Sequence, residues 1–234
     1  MRILALDSAA TAASCALYED GALLAESYQR AGLTHSRTLL PMVEAMLSSS
    51  GIGLESVDAL AVTAGPGSFT GLRIGISLVK GIADARSLPC IGVSTLESIA
   101  VCAPSCDAVL CAAMDARAGQ VYNALFDLSV EYPVRLTEDR AIRVEDLLKE
   151  LEKAEKSIII AGDGAHLLPE GYARLPEHLR FGRAYGTARS AEKLWLDTPE
   201  DERKARFAAS ALAPAYHRLP QAERERLAKA NQKE

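Results

Sequence analysis

Apolar positions near the start of the chain come in short blocks rather than in helical stripes. RILALD at residues 2–7 and ASCALYE at 13–19 read as strands, and Asp20-Gly21 between strand-like runs signals a tight turn that returns the chain as a third strand over 22–28. From Thr34 the period changes. Leu39, Val43, Met46 and Leu47 recur at helical spacing, widened by Leu40 and Met42, until Gly51 and Gly53 stop the pattern. Pro41 must lie in the first turns of this helix or bend it. VDALAVTA at 57–64 reads as a buried strand, GPGSFTG as a turn, and Gly71 to Arg86 as a second helix. A strand at Cys90 to Val93 then leads to a helix capped by Ser94 or Thr95. The plan restarts with strands at 107–114 and 120–128 joined across Asp115 to Gly119. A helix from Val144 to Ala154, a strand through 158–161 and helical segments beyond Arg189 follow.

Each half thus opens on a β-hairpin and continues with helices and strands, which predicts a duplicated α/β architecture with its boundary near Pro104. The lobes are expected at 1–103 and 104–234, the last helix being free to pack back on the first lobe. The repeat lies in topology alone, since no residue string recurs between the halves.

With 234 residues, 49% of them apolar, the chain can bury a substantial core. The start lacks the pattern of a secretory signal, and no stretch reaches the roughly 18 apolar residues of a membrane span, so a cytoplasmic protein with no membrane partner is expected. The odd number of cysteines (Cys15, Cys90, Cys102, Cys106, Cys111), in apolar context, favours reduced core thiols over disulfides, and their spacing is not that of a metal site. A net charge of −5 leaves the chain without the clustered basic charge that nucleic-acid binding needs, so any RNA must be held by another subunit. The mixed charges of Glu192–Arg206 and of the tail Gln221–Glu234 read as solvated helix faces.

The most informative segment runs Gly65-Pro66-Gly67-Ser68-Phe69-Thr70-Gly71-Leu72-Arg73-Ile74-Gly75. A phosphate cradle at a helix start is the first reading. The glycine intervals fit neither a Walker loop nor a dinucleotide fingerprint, and no lysine follows until Lys80. Each glycine inside a helix costs about 1 kcal/mol relative to alanine, so Gly71, Gly75 and Gly81 call for compensation. Gly71 and Gly75 share one face, where missing side chains let another backbone come close. Leu72, Ile74, Ile76, Leu78, Val79 and Ile82 surround the helix with apolar surface. Burial within its own lobe and coverage by another protein are both open readings.

GPGSFTGLRIG, with the opening MRILALDSA, the THS before the first helix, MDARAGQVY at 114–122 and PAYHR at 214–218, resembles the bacterial TsaB (YeaZ) family. The resemblance implies two actin-like lobes of the ASKHA superfamily (the actin, sugar-kinase and Hsp70 group, RNase H-like). Each would be a mixed sheet that starts with a β-hairpin and is flanked by helices. It further implies a non-catalytic subunit that pairs with a catalytic paralogue, TsaD, and an ATPase, TsaE. Together they would place a threonylcarbamoyl group on the adenosine beside the anticodon of transfer RNA. ATP or ADP and a metal are then expected in the partners or at the subunit junction, none belonging to this chain, and transfer RNA is met only through the complex. Family docking through the first two helices puts His35, Leu39, Leu40, Val43, Met46 and Leu47 at the interface, together with Gly71, Leu72, Gly75, Ile76 and Val79. A homodimer is expected when the partner is absent. Ile76→Glu or Gly75→Leu should then abolish pairing while leaving the fold largely intact.

The residues bear on the same question directly. Of His35, His166, His178 and His217, no two are three or four apart, so a helix carrying two metal-binding histidines is missing. Asp7 ends the first strand where the superfamily holds phosphate and metal, but Ser8-Ala9-Ala10 follows without glycine. Gly162-Asp163-Gly164-Ala165 reads either as an adenosine-contacting turn or as a plain turn into a helix. Asp115 and Arg117 read as a loop pair. The rival functions are a stand-alone ATPase or kinase of the same fold, which needs intact phosphate loops, and a glycoprotease-like peptidase, which needs a zinc motif or a nucleophile with its base.

Overall fold

The computed structural model describes residues 1–218; the charged tail Gln221–Glu234 lies outside them. The first lobe is built from β1 (Arg2–Asp7), β2 (Ala13–Glu19), β3 (Ala22–Gln29), α1 (His35–Ser50), β4 (Ala59–Gly65), α2 (Phe69–Arg86), β5 (Cys90–Ser94) and α3 (Thr95–Ala100). Its five strands run in the order β3-β2-β1-β4-β5, antiparallel through β3, β2 and β1 and parallel through β1, β4 and β5. Asp20 (φ 46°) and Gly21 (φ 88°) both adopt left-handed backbone, the geometry of a hairpin turn whose twist matches its strands.

The second lobe holds β6 (Ala108–Arg117), β7 (Gln120–Asp127), β8 (Val134–Arg135), β9 (Arg140–Arg143), α4 (Val144–Leu151), β10 (Ser157–Ala161), β11 (Ala173–Arg174) and the short α5 (Glu177–Arg180). Its sheet runs β11-β10-β6-β7-β8, with β9 also paired to β7. β6 takes the place of β1, β7 that of β2, and the parallel β10 and β11 those of β4 and β5. The duplication read from the hairpins therefore extends through the whole strand order.

Period-two alternation gives each sheet two buried faces. In β1, Leu4 and Leu6 point towards α1 and α2 with Cys15, Leu17, Leu60 and Val62, whereas Ile3 and Ala5 point the other way with Ala16, Ala59, Ala61 and Ile91. That second face is covered by α6 (Ala184–Asp197), which presents Ala184, Ala188 and Ala191, and by Phe207 beyond α7 (Glu200–Arg206). Residues 184–207 thus complete the first sheet although they follow the second in sequence. α6 begins before Arg189, and small residues along its buried side let it lie close on an alanine-rich sheet.

The helix limits have local causes. Gly51 ends α1 in left-handed backbone (φ 66°), its N–H reaching the carbonyls of Leu47 and Ser48. Ser68, whose hydroxyl accepts from the Gly71 N–H at 3.3 Å, starts α2 at Phe69, ahead of the expected Gly71. Ser94 rather than Thr95 caps α3, accepting from the Glu97 N–H. All five cysteines are free thiols, and burial pushes Cys15, Cys102 and Cys111 up to about 12. Among the described residues no helix is long and apolar enough to cross a membrane.

Candidate docking face and interlobe cleft

The glycine-rich turn and helix α2 resolve into an inner and an outer side. On the inner side, a Cβ added to Gly71 would collide with the Ser8 carbonyl, one at Gly67 would lie 2.5 Å from the Ala9 carbonyl oxygen, and one at Gly75 would collide with the Ser8 hydroxyl and lie 3.2 Å from Val62. The loop after β1 is bound to this turn: Ser68 N–H donates to the Ala9 carbonyl (2.7 Å) and the Ser8 hydroxyl to the Gly71 carbonyl (2.9 Å). The close backbone that the glycines admit therefore belongs to this chain. Gly81, in contrast, is exposed, and a Cβ placed on it would meet nothing within 4 Å.

This corrects part of the expected partner surface. Leu39 and Val79 are almost wholly buried, and Val43, Met46, Ile76, Gly71 and Gly75 are also buried in the lobe's own core, because α1 and α2 turn these positions onto β1, β2 and β4, while Leu72 is buried in a cluster shared with Leu110 and Met114 of the second lobe. Ile76→Glu and Gly75→Leu would accordingly damage the fold itself rather than separate two proteins.

The outer side of the same helices is different. Leu40 is 43% exposed, Ile74 and Leu78 are half-buried, and with Phe69 they line a groove of about 570 Å³ between α1 and α2 that also takes in His35, Thr70 and Arg73. Leu47 packs on the rim of the core, half-buried. His35 opens α1 and its Nε2 donates to the Ala10 carbonyl (2.8 Å), which ties the helix start to the loop after β1. Sequence periodicity misses Ile74 and Leu78 as outer-face residues because α2 is apolar all round; the polar positions beside them, Arg73 and Ser77, are the signal that could have found them.

A wider cleft of about 1110 Å³ lies between the lobes, bordered by Thr11, Arg30, Ser68, Met114, Arg180 and Arg218 among others. Asp7 stands beneath it, buried. Its Oδ1 accepts from the Ala9 N–H (2.9 Å) and the Thr63 hydroxyl (3.0 Å), while Oδ2 has no partner and faces Gly182. Burial in these surroundings raises its pKa above the ordinary carboxylate range, against the pull of those hydrogen bonds.

The glycine turns that border the cleft are packed against this chain's own backbone. The loop at 8–10 is packed against Gly67 and Gly71. In the second lobe, Gly162 (φ 99°) donates its N–H to the Arg180 carbonyl at 2.7 Å, and its Cα side lies against Ala113. Gly164 lies against Met114 and Asp115, where a Cβ would approach to 2.8 Å. Both second-lobe glycines serve contact with β6, and Gly162 and Asp163 also border the cleft. Asp163 accepts from the Asp115 N–H (3.1 Å), and burial raises its pKa. Asp115 and Arg117 form a loop pair, with Arg117 N–H donating to Asp115 at 2.7 Å and the guanidinium 3.5 Å from its carboxylate.

Two mixed sheets of like strand order, flanked by helices and joined through a shared core that includes α3, define a two-lobed α/β protein. The family model described as TsaD, tRNA N6-adenosine threonylcarbamoyltransferase, matches residues 29–229. The tRNA threonylcarbamoyladenosine biosynthesis protein TsaB of Escherichia coli K12 is 46% identical over 124 residues, covering 52% of this chain and 53% of that one. Its namesake in Bacillus subtilis 168 is 29% identical over 167 residues, covering 71% and 73%. The match to the Escherichia coli relative thus spans about half of that protein's length. A solved structure of YeaZ from Pseudomonas aeruginosa superposes with a TM-score of 0.74 at 28% identity, over 92% of this chain and 99% of that one. The chain belongs to the family described by that model, on its TsaB (YeaZ) branch.

Proposed function

We propose that this chain is a partner-binding, non-catalytic subunit in the formation of threonylcarbamoyladenosine in transfer RNA. Its relatives carry that pathway in their names, and one observation carries the role assigned to the chain within it: the apolar groove on the outer side of α1 and α2. Leu40, Ile74 and Leu78 present oily surface to water, while Leu39, Val43, Met46, Ile76 and Val79 of the same helices are already packed inward. Helix-on-helix packing against a partner would bury that surface and gain the hydrophobic contribution of each side chain. The partner of choice is a TsaD-like paralogue, with a TsaE-like ATPase joining the pair. A second copy of this chain takes the same face when the paralogue is absent. Transfer RNA is bound through the complex, in keeping with the acidic net charge of −5. ATP or ADP and the metal belong to the partners or to the subunit junction, a reading supported by the self-filled glycine turns of this chain.

The test is reconstitution from the purified chain, its TsaD-like and TsaE-like partners, ATP, the threonylcarbamoyl-adenylate donor and transfer RNA, omitting one component at a time. Product should require this chain and should not form from this chain alone. Product made at full rate without it overturns the assignment. ATP turnover by the isolated chain would favour the kinase-like alternative.

A further inference from the structure

The segment 214–218 has no task in the docking reading, yet it touches both lobes. The Ala215 N–H donates to the Ala64 carbonyl at 2.8 Å, and Gly65 (φ 135°) leaves room for the Ala215 carbonyl, which any Cβ there would strike. One residue on, the Tyr216 ring stacks on Phe69, the first residue of α2, with centroids 4.9 Å apart and planes inclined by 27°. The Arg73 guanidinium lies 4.8 Å from the centre of the same Phe69 ring. Arg218 then donates from Nη1 to the carbonyls of Ala116 and Arg117, the latter at 2.9 Å. A few residues thus fasten the end of β4 and the first turn of α2 to the β6–β7 turn of the other lobe.

That turn needs support. Arg117 (φ 67°), Ala118 (φ 52°) and Gly119 (φ 69°) are all in left-handed backbone, which is unfavourable for the two residues that carry a Cβ. A charged donor shared by two successive carbonyls holds them in this arrangement more firmly than a neutral one would. The aromatic and cationic contacts also run between the two candidate sites: Arg73 and Phe69 line the outer groove, and Phe69, Tyr216 and Arg218 line the cleft.

We propose that residues 214–218 form a strap that couples the first turn of α2 to the β6–β7 turn, so that whatever covers the outer groove also sets the order of the cleft rim. The strap is intrinsic to the chain, and its test needs no partner, so its failure would leave the docking assignment untouched.

The experiment is hydrogen–deuterium exchange on the full chain, comparing wild type with Tyr216→Ala, Arg218→Gln, Arg73→Ala and Tyr216→Phe. Loss of either anchor should speed exchange by about threefold or more both in residues 69–73 and in residues 114–121, including the region that the substitution does not touch. Tyr216→Phe keeps the ring and should exchange as wild type. Arg73 is exposed, so Arg73→Ala leaves the fold intact and should still raise exchange at 114–121 by about twofold. Three results overturn the strap: effects confined to the region each side chain touches, an unchanged 114–121 segment in Arg73→Ala, or a uniform rise that includes β1, which would mark a general loss of stability.

Discussion

Two glycine-rich turns occupy the same topological place in the two lobes, one after β4 and one after β10. In both, the glycines allow the chain to lie against the end of a central strand: Gly67 and Gly71 against Ser8 and Ala9 after β1, Gly162 and Gly164 against the end of β6. They differ in the element that each one launches. The first turn opens an α-helix of 18 residues whose outer side keeps apolar surface; the second leads into a short 3-10 turn, Asp163–Leu167. Glycine at these turns serves the interior of each lobe, and the capacity to dock resides in the helix that only one of them launches.

The strongest way to break this comparison is to add side chains to the inner face. Gly71→Val, or Gly75→Leu, should destabilise by about 3 kcal/mol or prevent folding, since the atoms in the way are backbone and core; thermal denaturation and soluble yield report it. Gly162→Ala should also be strongly destabilising, because φ 99° and the Ala113 carbonyl both oppose a Cβ. Next comes the outer side. Leu40→Glu combined with Ile74→Glu should weaken pairing, with the partner or with a second copy, by about tenfold or more while the melting temperature stays close to wild type. Sedimentation equilibrium and a titration with the TsaD-like protein measure it, and unaltered pairing would remove the proposed face.

Asp7 offers a smaller effect with a defined pH signature. Its folded-state pKa is raised mainly by burial above the ordinary 3.8, so the unfolded chain ionises it first and the folded form becomes less stable as pH rises from 3.8 through the folded value. Asp7→Asn should therefore raise the melting temperature at pH 7 by about 2–4 °C, and the difference should vanish towards pH 3.8. The smallest expected change is Gly81→Ala. Open space surrounds that position, so replacing a helical glycine should stabilise by about 1 kcal/mol, opposite in sign to Gly71 and Gly75 on the same helix.

These contrasts also mark where the sequence is readable. The hairpin at Asp20-Gly21, the end of α1 at Gly51 and the restart after residue 104 follow from local chemistry, and the strands and helices lie close to where alternation and turn residues put them. α2 is harder. With apolar residues on every side, its periodicity cannot say which face meets its own sheet, and the close backbone that Gly71 and Gly75 need can be assigned to another protein by mistake. The small residues Ser8-Ala9-Ala10 after β1 are the sign that a neighbour comes close there. α6 starts earlier than expected because its buried side is Ala184, Gly186, Ala188 and Ala191, too small to stand out as an apolar stripe. Tyr216 and Arg218 lie within the PAYHR motif, but only the folded chain brings them beside Phe69 and Ala116.

The late arrival of α6 on the first sheet has a consequence for synthesis on the ribosome. When residue 103 has just emerged, Ile3, Ala5, Ala61 and Ile91 are already made, but the helix that will shield them is encoded some eighty codons downstream. The opening half must wait, one side bare and prone to stick, until translation has passed Asp197.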